Sequence, residues 1–205
     1  MTTARSFSCV HFVPEVRLEL GGVVQAVVDL CQAIAARGHS VTLATCDASD
    51  APAHWRESSG DWPKVVELSP SRLTRKLISR SGLRQFREVA KQVDIAHLHI
   101  PWRPTNLQLS HVLRGEGVPY IVTIHGMLDD WSMRQRTLKK RTYLKLAAGR
   151  LFENATAVHF TAKGERDQAQ QWISIGDRAV IQCYALDLTA YDPLPGAGPA
   201  LKAFP

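Results

Sequence analysis

The chain has 205 residues, 45% hydrophobic and 21% charged, the balance of an ordinary globular protein and not of a disordered, collagen-like or coiled-coil one. That length holds one large domain or two small ones, and no run approaches the ~18 apolar residues of a transmembrane helix. Net charge is +6 but unevenly spread. Residues 71–91 carry Arg72, Arg75, Lys76, Arg80, Arg84, Arg87 and Lys91 against Glu88 alone, and residues 131–150 carry Arg134, Arg136, Lys139, Lys140, Arg141, Lys145 and Arg150 against no acid. Such stretches either attract anionic partners or form solvated helix faces. Nucleic acid is not expected, because no recognised binding module or aromatic stacking sheet accompanies the charge.

The first twenty residues include Arg5, His11, Glu15 and Arg17 and lack the apolar core of a secretory leader. Residues 7–13 then form a short β-rich run stopped by Pro14. Gly21-Gly22 opens an amphipathic helix over about 23–36, closed by a left-handed Gly38. Residues 40–45 read as a second strand, 47–63 as a polar loop and 64–68 as a third strand. Helical pattern covers 71–92, with a break at Gly82. Strands follow at 94–100, 118–124, 155–160 and 178–183, separated by helices at 105–114, 131–152 and 163–173. Continuously apolar strands alternating with helices predict a parallel sheet covered on both faces, a doubly wound α/β domain over residues 1–185. Residues 186–205, with Pro193, Pro195, Pro199 and Pro205, read as a linker. Cys9, Cys31, Cys46 and Cys183 are widely spaced. They suit buried, reduced thiols in a cytoplasmic protein better than a disulfide framework or zinc site.

In an open parallel sheet, ligands bind beyond the carboxyl ends of the strands. Gly21-Gly22 brings bare backbone and a helix N-terminus to that edge, suited to a phosphate or to a plain tight turn. No G-x-G-x-x-G is present, so the nicotinamide fingerprint is absent. His125-Gly126 directly follows a strand, where an imidazole reaches a sugar hydroxyl or an oxyanion, or serves structure alone. His97 and His99 share one strand face. They suit buried hydrogen bonding better than metal ligation, for which no third ligand has clear spacing. Trp102, Arg103 and Asn106 follow on a ligand-facing loop, where an indole can stack on a sugar ring. Asp129-Asp130 lacks the Asp-x-Asp spacing of metal-dependent sugar-nucleotide sites and suits a helix N-terminus.

Together these segments resemble a known pattern. Gly21-Gly22-Val-Val-Gln-Ala-Val-Val-Asp-Leu, closing with Ala36-Arg37-Gly38-His39, looks like the opening of a family-4 GT-B glycosyltransferase. Residues 94–99 are similar to that family's fourth strand, and the segment 117–131 with its basic continuation is the most specific match. Ala155 to Glu165 resembles the family's strand leading into a Thr/Ser-x-x-Glu helix start. The resemblance implies a Rossmann-like, acceptor-side N-terminal half-domain over residues 7–185. It implies a retaining hexosyltransferase, inactive alone, with a nucleotide-sugar donor, no metal or other cofactor, and a glycan or lipid-linked acceptor. Gly21, Gly22 and Gly126 would lie at the donor phosphates, His125 beside the transferred sugar, and His99, Trp102, Arg103 and Asn106 toward the acceptor. The family's Pro-Asn-Gly turn is replaced by Gln182-Cys183-Tyr184, and its donor-binding half is expected from a further domain or a partner chain. The alternative is a non-catalytic module for glycan or anionic lipid, or one subunit of a two-chain transferase. Trp131, Leu138, Leu144 and Phe152 would accompany the basic helix onto an anionic surface at the inner membrane face.

Overall fold

The computed structural model describes residues 6–57, 62–74 and 76–184, with positions 196, 198 and 202; the linker expected over 186–205 lies almost wholly outside the described residues. The strands are β1 (Ser8–Phe12), β2 (Ser40–Thr45), β3 (Lys64–Glu67), β4 (Ile95–His99), β5 (Tyr120–Thr123), β6 (Ala157–Phe160) and β7 (Ala179–Ile181). All pair in parallel, in the order β3-β2-β1-β4-β5-β6-β7. Parallel neighbours need helical crossovers, which cover the sheet and explain why its strands are apolar on both faces. The fold is therefore the Rossmann-like doubly wound α/β domain expected from the alternation.

Helix α1 (Gly22–Ala35) covers one face, burying Val24, Val27, Cys31 and Ala35 at helical spacing. Beneath it lie Cys9, Val13, Val41 and Leu43. The opposite face presents Val10, Phe12, Ala96, Leu98, Val122, Ile124, Val158 and Phe160 to a second, larger core. That core is closed by α2 (Arg80–Ala90), α3 (Pro104–Gly115) and α6 (Gly149–Glu153), through Phe86, Leu109, Leu113 and Phe152. Pro104 stands at the start of α3, where its missing N–H costs nothing.

Three expectations need correction. The helix read over 71–92 forms only at 80–90, and Gly82 lies inside it. A Cβ at Gly82 would come within 2.7 Å of Ile78 Cγ2 and 2.8 Å of the Ser69 carbonyl, so the glycine serves a close approach and not a break. The loop over 47–63 carries a 3₁₀ turn that sinks Trp55 into the α1-side core. The long basic helix is divided into α4 (Asp130–Arg134) and α5 (Thr137–Tyr143), the latter running through a π turn at Leu144–Ala148 into α6. The division falls at extended Gln135 and left-handed Arg136, φ 55°. Thr137 Oγ1 donates to the carbonyls of Met133 and Arg134 freed there. Leu144 and Phe152 turn inward to the core. Trp131 and Leu138 remain exposed, joined by Leu146.

Remaining local elements are α7 (Lys163–Ala169) and 3₁₀ turns at Leu18–Leu20 and Gly176–Arg178. The cysteines are all free; Cys9 and Cys31 are buried and Cys183 is exposed. Burial pushes the Cys9 thiol up to about 11, so it stays protonated and inert. No helix among the described residues is long and apolar enough to cross a membrane.

Candidate active site at the switch point

The strand order reverses between β1 and β4: the chain leaves β1 toward β2 on one side and returns as β4 on the other. Because every strand is parallel, the segments after β1, β4, β5 and β6 emerge at one edge, and a crevice opens where the first two diverge. Gly21-Gly22 stands after β1 and His125-Gly126 after β5, so the two glycine-bearing segments share that edge.

Gly21 caps α1 with φ 98°, a conformation that a side chain strains, and no side chain caps the helix. A Cβ placed on Gly22 meets nothing within 4 Å. The Gly22 backbone is therefore open to close approach beside the partial positive charge of the helix terminus, while the Val24 N–H is taken by the Gly21 carbonyl.

At the other strand ends the backbone is strained. Ile100 and His125 take φ values of 59° and 54°, unfavourable for residues with a β-carbon. Gly126 follows with φ 71°. The turn is held from below: Glu165 Oε1 accepts from the Gly126 N–H at 2.5 Å, and Oε2 accepts from the N–H and hydroxyl of Thr161 at 2.6 and 2.9 Å. Gln168 Oε1 accepts from the Asp130 N–H, and Asp129 caps α4 by accepting from the Ser132 N–H, which is the helix-terminal role expected for that pair.

His125 does not stand alone. His11 on β1 is the register partner of His97, and Thr123 on β5 pairs with both His99 and His159. These side chains share the α1 face and form two hydrogen-bonded chains. In the first, His11 Nδ1 meets His99 Nε2 at 3.2 Å, His99 Nδ1 meets His125 Nε2 at 2.9 Å, and His125 Nδ1 meets the Tyr184 hydroxyl. Two concerted proton arrangements satisfy it, one with every imidazole donating through Nε2 and one with every imidazole donating through Nδ1. In the second, His97 Nε2 bonds to Thr123 Oγ1, which meets His159 Nδ1 at 2.9 Å, and His159 Nε2 donates to the Gln182 carbonyl at 2.8 Å.

Burial holds His11, His97, His99 and His125 neutral. It lowers His11 to about 4 and, with the nearby His159, His125 to about 3. His97 and His99 fall well below the usual range, from burial first and from their fellow histidines second. Tyr184, raised to about 12 by burial and then by Glu165, keeps its proton. The site thus presents neutral hydrogen-bonding groups beside a helix terminus. His11, His97 and His99 also bring ligand nitrogens within 4.8 Å of one another, a third imidazole that the spacing of His97 and His99 does not reveal. Each of the three has a hydrogen-bond partner inside the protein.

Not every expected acceptor residue faces outward. His99 is 1% exposed and Asn106 is wholly buried. Asn106 Nδ2 donates to the carbonyls of His99 and Ile100 at 2.7 and 2.8 Å, holding the strained end of β4. Both therefore act from beneath the crevice, because the strand end turns them into the sheet. Trp102 and Arg103 stay accessible, with the Trp102 indole N–H donating to the Met127 carbonyl and Arg103 paired to Glu15 at 3.4 Å. His11, Thr123, His159 and Tyr184 join the site although no spacing along the chain singles them out, and Glu165 joins it from the helix start that the sequence pattern marks.

The glycosyl transferase 4-like domain model matches residues 21–183. Among curated proteins, the chain is similar to the D-rhamnosyltransferase WbpZ of Pseudomonas aeruginosa, 31% identical over 133 residues, covering 59% of this chain and 30% of that protein. Among solved structures, Anabaena HepE in complex with UDP-glucose has a TM-score of 0.65 at 12% identity, covering 90% of this chain and 46% of that one. A Rickettsia africae glycosyltransferase has a TM-score of 0.59 at 12% identity, covering 97% and 48%. The chain spans about half the length of these structures and less than a third of the curated relative. With the family match running from the glycine pair through the last strand, the chain belongs to the glycosyl transferase 4-like domain family and has the architecture of one GT-B half.

Proposed function

We propose that this domain is the acceptor-side, N-terminal half of a retaining sugar transferase acting from a nucleotide sugar onto a glycan or lipid-linked acceptor. The observation that carries the reading is the switch-point crevice, with the uncapped α1 terminus after β1 and strained His125 after β5 on the same sheet edge. The relatives supply the chemistry: one is named a rhamnosyltransferase and another is solved with UDP-glucose.

The α1 amides at Gly22 stabilise negative charge on the departing diphosphate. His125 is neutral, so it orients the transferred sugar by a hydrogen bond instead of supplying charge. A sugar hydroxyl takes the place of the Tyr184 hydroxyl at Nδ1, while His99 keeps hold of Nε2. Rate acceleration comes from positioning and preorganised dipoles. The donor-binding half comes from a further domain or a partner chain, and the half described here is inactive without it. The protein works on the cytoplasmic side, with exposed Trp131, Leu138 and Leu146 of the basic segment meeting the anionic inner membrane face.

The test is transfer of labelled sugar from a nucleotide donor when a donor-binding half is supplied. His125→Ala is expected to lower kcat by about 100-fold or more with circular dichroism unchanged. Unaltered turnover removes His125 from the reaction. Glycan binding without any transfer favours the non-catalytic module.

A further inference from the structure

The two basic stretches, separated by some forty residues of chain, meet in the fold. Lys76 from the first and Arg136, Lys139 and Lys140 from the second line one pocket with Trp102, Arg103, Pro104 and Tyr143, enclosing about 460 Å³. Among the described residues, five cations and no carboxylate form its lining. One of these charges is already matched, since Glu15 pairs with Arg103 at 3.4 Å, and Asp129 Oδ1 is engaged in capping α4.

The walls are built and not merely charged. The Trp102 and Tyr143 rings lie 5.8 Å apart, and Lys140 Nζ sits 5.3 Å from the Trp102 centroid. Lys140 is fixed by donating to Ser132 O and Oγ, whose own hydroxyl donates to the Met127 carbonyl beside the Trp102 indole. The pocket is thereby tied to the turn that carries His125. The Tyr143 hydroxyl is buried at the pocket wall and finds no hydrogen-bond partner, and behind Pro104 the same holds for Thr105 Oγ1 and Asn106 Oδ1, so polar capacity is left over around the pocket.

We propose that this pocket binds a diphosphate ester, the anionic portion of the acceptor, with Trp102 and Tyr143 flanking its sugar or apolar part. The volume is that of a small-molecule site and exceeds a single phosphate. The four lining cations besides the Glu15-paired Arg103 outnumber the charge of a monophosphate and match adjacent phosphates. Left-handed Arg136, at the division between α4 and α5, turns the chain so that Arg136, Lys139 and Lys140 all reach the same pocket. This inference rests on the acceptor-side reading but is tested without donor or turnover.

The probe is inorganic pyrophosphate, titrated calorimetrically into the full chain at low and moderate salt, with indole fluorescence as a second readout. Saturable binding is expected, weakened at least tenfold by Arg136→Gln with Lys139→Gln, which leaves the Lys140 bonds to Ser132 intact. Trp102→Phe should keep the heat and lose most of the fluorescence change. Arg80→Gln with Arg84→Gln, removing equal charge outside the pocket, should bind as wild type. A short-chain prenyl diphosphate binding more tightly than pyrophosphate assigns the anion to a lipid-linked acceptor; equal affinity assigns it to a soluble one. Absence of saturable binding, or equal weakening by the Arg80/Arg84 pair, overturns the pocket. So does attachment to phosphatidylglycerol vesicles that pyrophosphate does not displace, which would mark a membrane-facing surface. Pyrophosphate binding with no sugar transfer even when a donor-binding half is supplied would sink the transferase reading and leave the anion pocket standing.

Discussion

Acidification tests the histidine cluster directly. His11 and His99 are buried and His97 and His125 half-buried, and desolvation holds all four below the imidazole range, His11 to about 4 and His125 to about 3. In the unfolded chain each titrates near ~6.5. Below that pH the unfolded state binds more protons than the folded one, so stability is full above ~6.5 and falls as pH drops toward the folded values. One withheld proton is worth up to about 1.4 kcal/mol per pH unit. Four such groups give a slope of about 5 kcal/mol per pH unit between roughly pH 6 and 4.5. Against a typical total of about 5–15 kcal/mol, the domain should unfold within about two pH units below 6. Urea unfolding followed by circular dichroism at half-unit pH steps measures the slope, and His99→Gln should reduce it by about a quarter. A stability that stays constant from pH 7 to 5 would refute the buried, neutral cluster.

Four substitutions probe the supports. Gly82→Ala should cost about 1–3 kcal/mol, read from denaturant midpoints, because its Cβ meets backbone at Ser69 and the Ile78 side chain. Glu165→Gln replaces one of two accepting oxygens by a donor facing an N–H, for a loss of about 1–3 kcal/mol. Its specific signature is faster hydrogen exchange at the Gly126 amide, which Glu165 Oε1 receives. Gly21→Ala should destabilise by about 1 kcal/mol through its φ of 98°, whereas Gly22→Ala, with open space at its Cβ, should leave the denaturation midpoint in place.

The alternation of apolar strands with amphipathic helices was enough to read the parallel sheet, since burial on both faces leaves its mark on every strand. His125, Gly126 and the glycine pair were legible because strand ends and helix starts have local signatures. Tyr184 and His11 were not, because they reach His125 and His99 only through the sheet's register. The division at Arg136 was hidden as well: Arg134 through Lys145 has no Gly or Pro, and the left-handed residue is an arginine. His99 is buried and hydrogen-bonded, as the shared strand face of His97 and His99 suggests, whereas the place of Asn106 after the strand does not disclose that its amide reaches back to the carbonyls of His99 and Ile100. The meeting of the two basic stretches depends on the turn before α3 packing on α5 through Trp102 and Tyr143.

The central claim is that Gly22 and His125 grip one donor in one crevice. A double-mutant cycle of Gly22→Ala and His125→Ala, on kcat/KM for sugar transfer with the donor-binding half supplied, measures it. The account predicts that the two losses couple by about 1 kcal/mol or more, with the fold intact in all four proteins. Strictly additive losses, or no loss from either change, would place the two residues in separate environments and contradict it.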